Sequence, residues 1–373
     1  MSFNGLLRFK NHLLKGILYG KNVHVSGELV FTTSLVGYNE SITDPSYKNQ
    51  ILVFTNPLIG NYGVPPRTLE NNLLKYFESD RIHVSGIVVG NYSTKYNHHN
   101  AIESLNSFCK RNNVPLLTNI DTRMLTMYLR ENGTTNGEII GSTKKINYFT
   151  NKTIHESLIH PIIQVSTKKV ITYNPKGTIK ICLIDCGTKN NIIRCLINRD
   201  CQVDLVPYNT DISKSMNYYH GIVIGNGPGD TSKIDVIIEN IRKVTSDTSN
   251  EIPIFGICAG HQFLGLSVGF DVYKMKFGHR SHNAPVLDTF TNRCYITSQN
   301  HGYCIKNTHL PKDWNISFIN LNDNTIEGIE HKFKPYFSVQ FHPEAFGGSK
   351  DTEFLFDKFI DQCLQYKKSL KLI

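Results

Sequence analysis

No apolar run in this chain is long enough to cross a bilayer as a helix, which argues against a helical membrane anchor. No long basic block is present either. Lys and Arg are spread along 373 residues, and a net charge of +9 is modest for that length. That distribution fits a mildly basic enzyme rather than a nucleic-acid binder. Internal repeats, long low-complexity tracts and Walker-type phosphate loops are also missing, so nucleotide chemistry has no home here. No secretory h-region precedes Asn132-Gly-Thr134 or Asn151-Lys-Thr153, so these triplets read as chance in an Asn-rich chain. The nine cysteines lack regular spacing. Their odd number and apolar settings, such as Ile181-Cys-Leu-Ile184, exclude a disulfide framework and point to reduced thiols in a cytoplasmic protein. Cys182 and Cys186 have no second pair at zinc-finger spacing, which favours a core role and no metal. Acidic residues are absent before Glu28, as in a transit peptide. However, Leu6-Leu-Arg-Phe9 and Gly16-Ile-Leu-Tyr-Gly20 already alternate like strands, leaving little length for a removable leader.

What is present suits a globular protein of two domains: 40% hydrophobic and 19% charged residues. Residues 1–150 carry short β-like runs (29–33, 50–55, 84–89) separated by turn signals at Asn61-Tyr-Gly63 and Pro65-Pro66. Helices are expected over 101–111 and, capped by Asp121 and closed by Gly133, over 121–132. This reads as an α/β domain of its own. Residues 151–178 lack a strong period and contain Pro161, Pro175 and Gly177, so they read as a linker. From Ile179 to the end at 373, strands and helices alternate. That pattern implies a mainly parallel sheet flanked by helices, with sites at the carboxyl ends of its strands.

Two such ends carry unusual residues. Ile252-Pro-Ile-Phe255 runs through a glycine to Cys258 and then through Gly260 into Phe263-Leu-Gly-Leu266. This is strand, tight turn, helix, with a cysteine at the turn: a nucleophile elbow carrying sulfur. A thiol at a helix N-terminus is favoured as thiolate. The strand 336–341 ends at His342-Pro-Glu344, which supplies a base and a carboxylate to orient it. Gly225-Asn-Gly-Pro-Gly229 offers close-approaching amides at Gly227 and Gly229, and Ala259 offers the amide after the nucleophile, as an oxyanion hole requires. Each feature alone has an ordinary reading: a structural cysteine, a turn, a loop. Their common location at strand ends of one sheet makes the catalytic reading the stronger one.

With these residues in hand, the chain resembles the class I (triad) glutamine amidotransferases. Further motifs are similar to the glutaminase subunit of carbamoyl-phosphate synthetases: Gly37-Tyr-Asn-Glu-Ser-Ile-Thr-Asp-Pro-Ser-Tyr47, Pro57-Leu-Ile-Gly-Asn-Tyr-Gly63, Asn119-Ile-Asp-Thr-Arg123, Lys274-Met-Lys-Phe-Gly-His279 and Ser298-Gln-Asn-His-Gly-Tyr303. The resemblance spans about 5–365. It implies Cys258 as nucleophile, His342 as base and Glu344 as third member. It also implies glutamine contacts from Ser46, Gly227, Gly229, Ala259, Gln262, Asn300, Gly302 and Tyr303. His261 and His279 are left outside the triad. Ammonia would pass to a carbamoyl-phosphate synthetase large subunit, or to fused synthetase domains, docked largely on the N-terminal domain. ATP, Mg and bicarbonate would belong to that partner, with no cofactor in this chain. The chain departs from the family pattern at Ala259, usually bulkier, and in Ala345-Phe-Gly-Gly-Ser-Lys350, which lacks a common proline. Animal urea-cycle relatives carry serine at the nucleophile; Cys258 implies activity here. Three rivals are a different amidotransferase, a non-catalytic docking module of the same fold, and an unrelated cysteine hydrolase.

Overall fold

The structure, a computed structural model, describes residues 3–141, 159–248 and 251–370. It forms two compact units, Met1–Pro161 and Ile162–Ile373. Among the described residues no helix is long and apolar enough to cross a membrane.

The first unit is built on a closed barrel. Its strands are β1 (Phe3–Phe9), β2 (His12–Gly20), β3 (Val25–Thr32), β4 (Gln50–Phe54), β5 (Gly86–Val88), β6 (Pro115–Thr118) and β7 (Thr135–Ile140). They close in the order β1-β7-β3-β4-β5-β6-β2. The expected α/β unit is therefore a seven-stranded barrel with added helices. Closure follows from β1 pairing on both sides, with β2 and with the distant β7, and it leaves no open edge. Alternation divides the strand residues into two sets. Val30, Leu52, Phe54, Ile87 and Leu116 pack with Leu105 and Phe108 of the helix α2 (Leu105–Arg111). Leu29, Ile51, Val53, Val88 and Leu117, on the other face, are equally buried.

The expected helix over 101–111 starts late because Ser104 is its cap, its hydroxyl accepting from the Ser107 amide at 3.2 Å. Ile102 instead donates to the Val64 carbonyl. The second helix, α3 (Thr122–Asn132), has the expected Asp121 cap, bonded to the Met124 amide at 2.8 Å, and Gly133 at its end with φ 86°. A shorter helix, α1 (Tyr38–Thr43), carries the first motif. Tyr38 stacks on Tyr62 at 4.0 Å and donates to the Gly63 carbonyl at 2.6 Å, so the motifs at 37–47 and 57–63 hold each other.

Of the linker expected over 151–178, residues 151–158 lie outside the described residues. Residues 161–173 are not featureless: they contain a helix, Pro161–Val165, and a strand, β8 (Ile171–Tyr173), that joins the second unit's sheet.

That sheet has ten strands: β8, β9 (Ile179–Asp185), β10 (Cys201–Pro207), β11 (Gly221–Ile224), β12 (Ile254–Ile257), β13 (Val272–Asp288), β14 (Cys294–Ile305), β15 (Trp314–Asn320), β16 (Ile326–His331) and β17 (Tyr336–Val339). Their order is β8-β10-β9-β11-β12-β17-β16-β15-β13-β14. Only the central five, β10-β9-β11-β12-β17, are mutually parallel. The flanking pairs are antiparallel. The expectation of a mainly parallel sheet is corrected to a mixed one. The neighbours β13 and β14, β15 and β16, and β16 and β17 are each joined by a short connection, which allows only antiparallel pairing.

One face of the parallel strands, including Ile222, Ile224 and Ile254, packs on Ile237 and Ile241 of a helix over Asp235–Ser246 and on Phe263 and Leu264 of Ala259–Ser267. On the other face Phe255 stacks on Phe337 at 4.5 Å and meets Phe356 and Phe359 of the helix Phe354–Leu370. The adjacent central strands β12 and β17 thus end side by side, each fixed by large apolar side chains on both faces.

Candidate active site

Cys258 stands between β12 and the helix Ala259–Ser267 with φ 57° and ψ −104°, a left-handed φ that a side chain adopts at a cost of order 1–3 kcal/mol. The surroundings impose it. Its amide donates to the Val339 carbonyl of β17 at 2.9 Å. Two residues on, a Cβ at Gly260 would lie 2.0 Å from the Ile224 carbonyl oxygen, so only glycine lets the helix start this close to β11. The thiol is buried, with the Asn300 carbonyl at 3.6 Å and the Gln340 amide at 3.8 Å.

His342 follows the end of β17 and is almost fully buried. Its Nδ1 lies 2.7 Å from Glu344 Oε1. Burial and the Lys189 ammonium would depress this imidazole. The Glu344 carboxylate and Cys258 outweigh them, so its pKa stands above the ordinary histidine value. Glu344 shows the converse balance: burial opposes its ionisation, but Lys189 and His342 hold it well below the usual carboxylate range. The Lys189 ammonium reaches the same Oε1 at 2.9 Å and is itself buried. Asn191 donates to the Glu344 carbonyl. The chemistry offered is a buried carboxylate–imidazole pair at one strand end and a cysteine at the next, the parts of a nucleophile–base–orienter set.

Gln262 lies one helical turn past Cys258. Its amide nitrogen donates to the Tyr303 carbonyl at 2.9 Å and to Gln340 Oε1 at 3.0 Å, and its oxygen accepts from Thr231 at 3.0 Å. This clamps the strand carrying Asn300, Gly302 and Tyr303 to the elbow helix. A Cβ at Gly227 would stand 2.1 Å from the Cys186 carbonyl oxygen, and Gly229 has φ 90°. Ala259 is buried at the first turn of the helix. Ser46 belongs to the first unit, where its amide donates to Asp44 Oδ1 at 2.8 Å in a short 3-10 turn.

Two family models match the chain in succession. Residues 7–139 match "Carbamoyl-phosphate synthase small chain, CPSase domain" and residues 182–362 match "Glutamine amidotransferase class-I". The carbamoyl phosphate synthase arginine-specific small chain of Saccharomyces cerevisiae is 48% identical over 361 residues, covering 95% of this chain and 87% of the relative. The chain belongs to the carbamoyl phosphate synthase small chain family. The protein of the same description from Candida albicans is 47% identical over 365 residues, covering 96% of this chain and 84% of its own. Among solved structures, a GMP synthase subunit of Thermoplasma acidophilum aligns with a TM-score of 0.45 at 25% identity, over 52% of this chain and 98% of that one. As a carbamoyl phosphate synthase small chain with a class-I amidotransferase domain, the protein is the glutamine-dependent, glutaminase component of such an enzyme.

Sequence reading missed several members of this small chain's site. Lys189 sits in Gly187-Thr-Lys-Asn190, a turn at a strand end, and that position is its only signal. The ion pair it makes spans 155 residues. Gln340 lies between the thiol and Gln262. In the sequence it is one polar residue in an apolar strand, with nothing to show which neighbours it meets.

His279, His301 and Glu327 bring one potential ligand atom each to within 4.8 Å of one another. Their ring nitrogens are already engaged. His279 faces Asp323 at 2.8 Å and Glu327 at 3.4 Å, and His301 faces Gln299 and the Tyr303 carbonyl, both at 2.9 Å. Burial opposes protonation of His279, but the two carboxylates raise its pKa to about 9. The cluster braces β13 against β16 through the His279–Glu327 contact.

Proposed function

We propose that this chain hydrolyses L-glutamine to glutamate and ammonia through Cys258, His342 and Glu344, and hands the ammonia to a carbamoyl-phosphate synthetase large subunit or fused synthetase domains. The observation that carries this reading is the buried Glu344–His342 pair at the end of β17, next to the strand that ends in Cys258. The sulfur attacks the carboxamide carbon, and the oxyanion forms against the amides of Gly227 and Ala259, donors that typically contribute about 3 kcal/mol each. Gly229, Asn300, Gly302 and Tyr303 line the amino-acid end of the substrate. Gln262 acts by holding Tyr303 in place. His342, raised by Glu344 and by the sulfur, carries the proton that leaves with ammonia. Water then cleaves the thioester with His342 as base. Ammonia is mostly protonated at neutral pH and then a poor nucleophile, which favours a sheltered transfer to the synthase partner. That partner would hold ATP, Mg and bicarbonate. The arginine-specific names of the relatives support arginine synthesis as the destination. The reduced-thiol reading of the nine cysteines supports a cytoplasmic setting.

The test is Cys258→Ser in the full chain. Glutamine hydrolysis falls by about 10⁴-fold or more, as removal of a nucleophile does in triad enzymes, while the chain stays folded by circular dichroism. Retained turnover would remove the assignment.

A further inference from the structure

Among the buried polar atoms without a hydrogen-bond partner in the described residues are two that neighbour His342: Ser298 Oγ and His282 Nδ1. The backbone gathers them. Ser298 forms a bridge with His342, whose amide donates to the Ser298 carbonyl at 2.8 Å. On the other side of Ser298 the ladder slips: Ser281 pairs with Gln299 and Ala284 with Thr297, so His282 and Asn283 together stand opposite Ser298 alone. This is a β-bulge, a device that re-aims a side chain beside a site. Here it leaves Asn283 exposed and takes His282 Nδ1 out of solvent. Gly348 closes the group. A Cβ there would lie 1.9 Å from Ser298 Oγ and 3.3 Å from His282 Cβ.

Leaving a buried polar atom unsatisfied is costly, so two such neighbours beside the imidazole call for a guest. Its chemistry can be read from the donors and acceptors. Burial and the positive charges of Lys189 and His342 depress His282 to about 4, while the Gly347 backbone favours an N–H on the ring. The neutral ring spends its N–H on that backbone and keeps Nδ1 as a bare acceptor. Ser298 can donate or accept. The two cations discourage a cationic guest, and the bare lone pair of Nδ1 discourages an anionic one. A small neutral molecule bearing at least one O–H fits, and a buried water has this kind of partner set.

We propose that Ser298 and His282 seat the water that cleaves the glutamyl thioester, holding it against His342 Nε2. The inference rests on the Cys258–His342 reading above. After ammonia has left, the sulfur is acylated and its charge no longer raises His342, so the imidazole is free to act as base. The water oxygen bonds to the thioester carbon as its proton passes to Nε2. The C–S bond then breaks, glutamate leaves, and the sulfur regains the imidazolium as its counter-ion. Ser298 and His282 are positioning residues for this second half alone, since attack on glutamine does not use the water.

The test is the full chain with glutamine, comparing Ser298→Ala and His282→Ala with the unaltered protein. Deacylation becomes limiting, so kcat falls about 10- to 100-fold and KM falls with it. The ratio kcat/KM, set by acylation, stays within twofold. Rapid mixing shows a burst of ammonia near one per chain, and hydroxylamine restores turnover by replacing water. His282→Gln, which keeps an acceptor, regains most of kcat. A fall in kcat/KM without a burst, or an unchanged kcat, overturns the proposal. An unaltered chain that forms no acyl-enzyme at all overturns the underlying nucleophile assignment as well.

Discussion

Lys189 decides much at the scale of single residues. Its ammonium and the His342 imidazole share one oxygen of a carboxylate that has no access to water. Breaking a buried ion pair costs about 3–5 kcal/mol. Because His342 still faces Glu344 afterwards, Lys189→Met is expected near the lower end, about 3 kcal/mol, read by urea unfolding at pH 6. The pH dependence has a definite sign. Glu344 is depressed in the folded chain, so its stabilisation is complete above about pH 4.5 and is lost as pH falls through the folded value. His342 is raised, so its contribution is complete below about pH 6.5 and is lost as pH climbs through its folded value. Lys189 helps to depress Glu344, so its removal moves the folded value up toward the unfolded one and leaves a shallower acid-dependent loss, on top of the lower stability at pH 6. Unfolding curves collected between pH 3 and 6 check this, and an acid limb of unchanged slope would contradict it.

At the scale of elements, the elbow depends on the approach of a helix to a neighbouring strand. Gly260→Ala would place a methyl 2.0 Å from a backbone oxygen of β11. Neither partner is the flexible end of a side chain, so the helix must shift. The variant is expected to lose on the order of 1–3 kcal/mol, as overpacked cores do, and to lose alkylation of Cys258 by a glutamine-analogue electrophile more than it loses stability. Equal losses in both would mean that the elbow tolerates the shift. The elbow, the His-Pro-Glu strand end and the Asp121-capped helix are all legible in the sequence. Each is written in consecutive residues: apolar run, glycine, cysteine; strand, His342, Glu344; Asp121 to Gly133. What escapes is pairing at a distance. Nothing near Phe9 announces that it will face Gly137, so the sequence reads as an α/β unit where a barrel closes. Likewise the slip that aims His282 at Ser298 is a property of two strands, and neither strand carries it alone.

For the molecule as a whole, two separate cores imply two separable losses of structure. One gathers residues such as Leu52, Phe54 and Phe108, and the other residues such as Ile224, Ile254 and Phe263. Leu52→Ala, at a fully buried barrel position, should cost about 2–5 kcal/mol. In differential scanning calorimetry it should lower one transition and leave a second in place. A single transition moving as a block would show that the two units unfold as one. The order of strands has a further consequence for a growing polypeptide. The strand leading into Cys258 sits mid-sheet because Tyr336–Val339, far later in the chain, pairs beside it, while the strands of residues 272–331 lie beyond that pairing in the same sheet. A ribosome that stalls anywhere in that interval would release a chain with a bare, hydrophobic β-edge at its would-be catalytic strand and no imidazole to go with it. Premature stop codons there should therefore yield insoluble product rather than a slow enzyme.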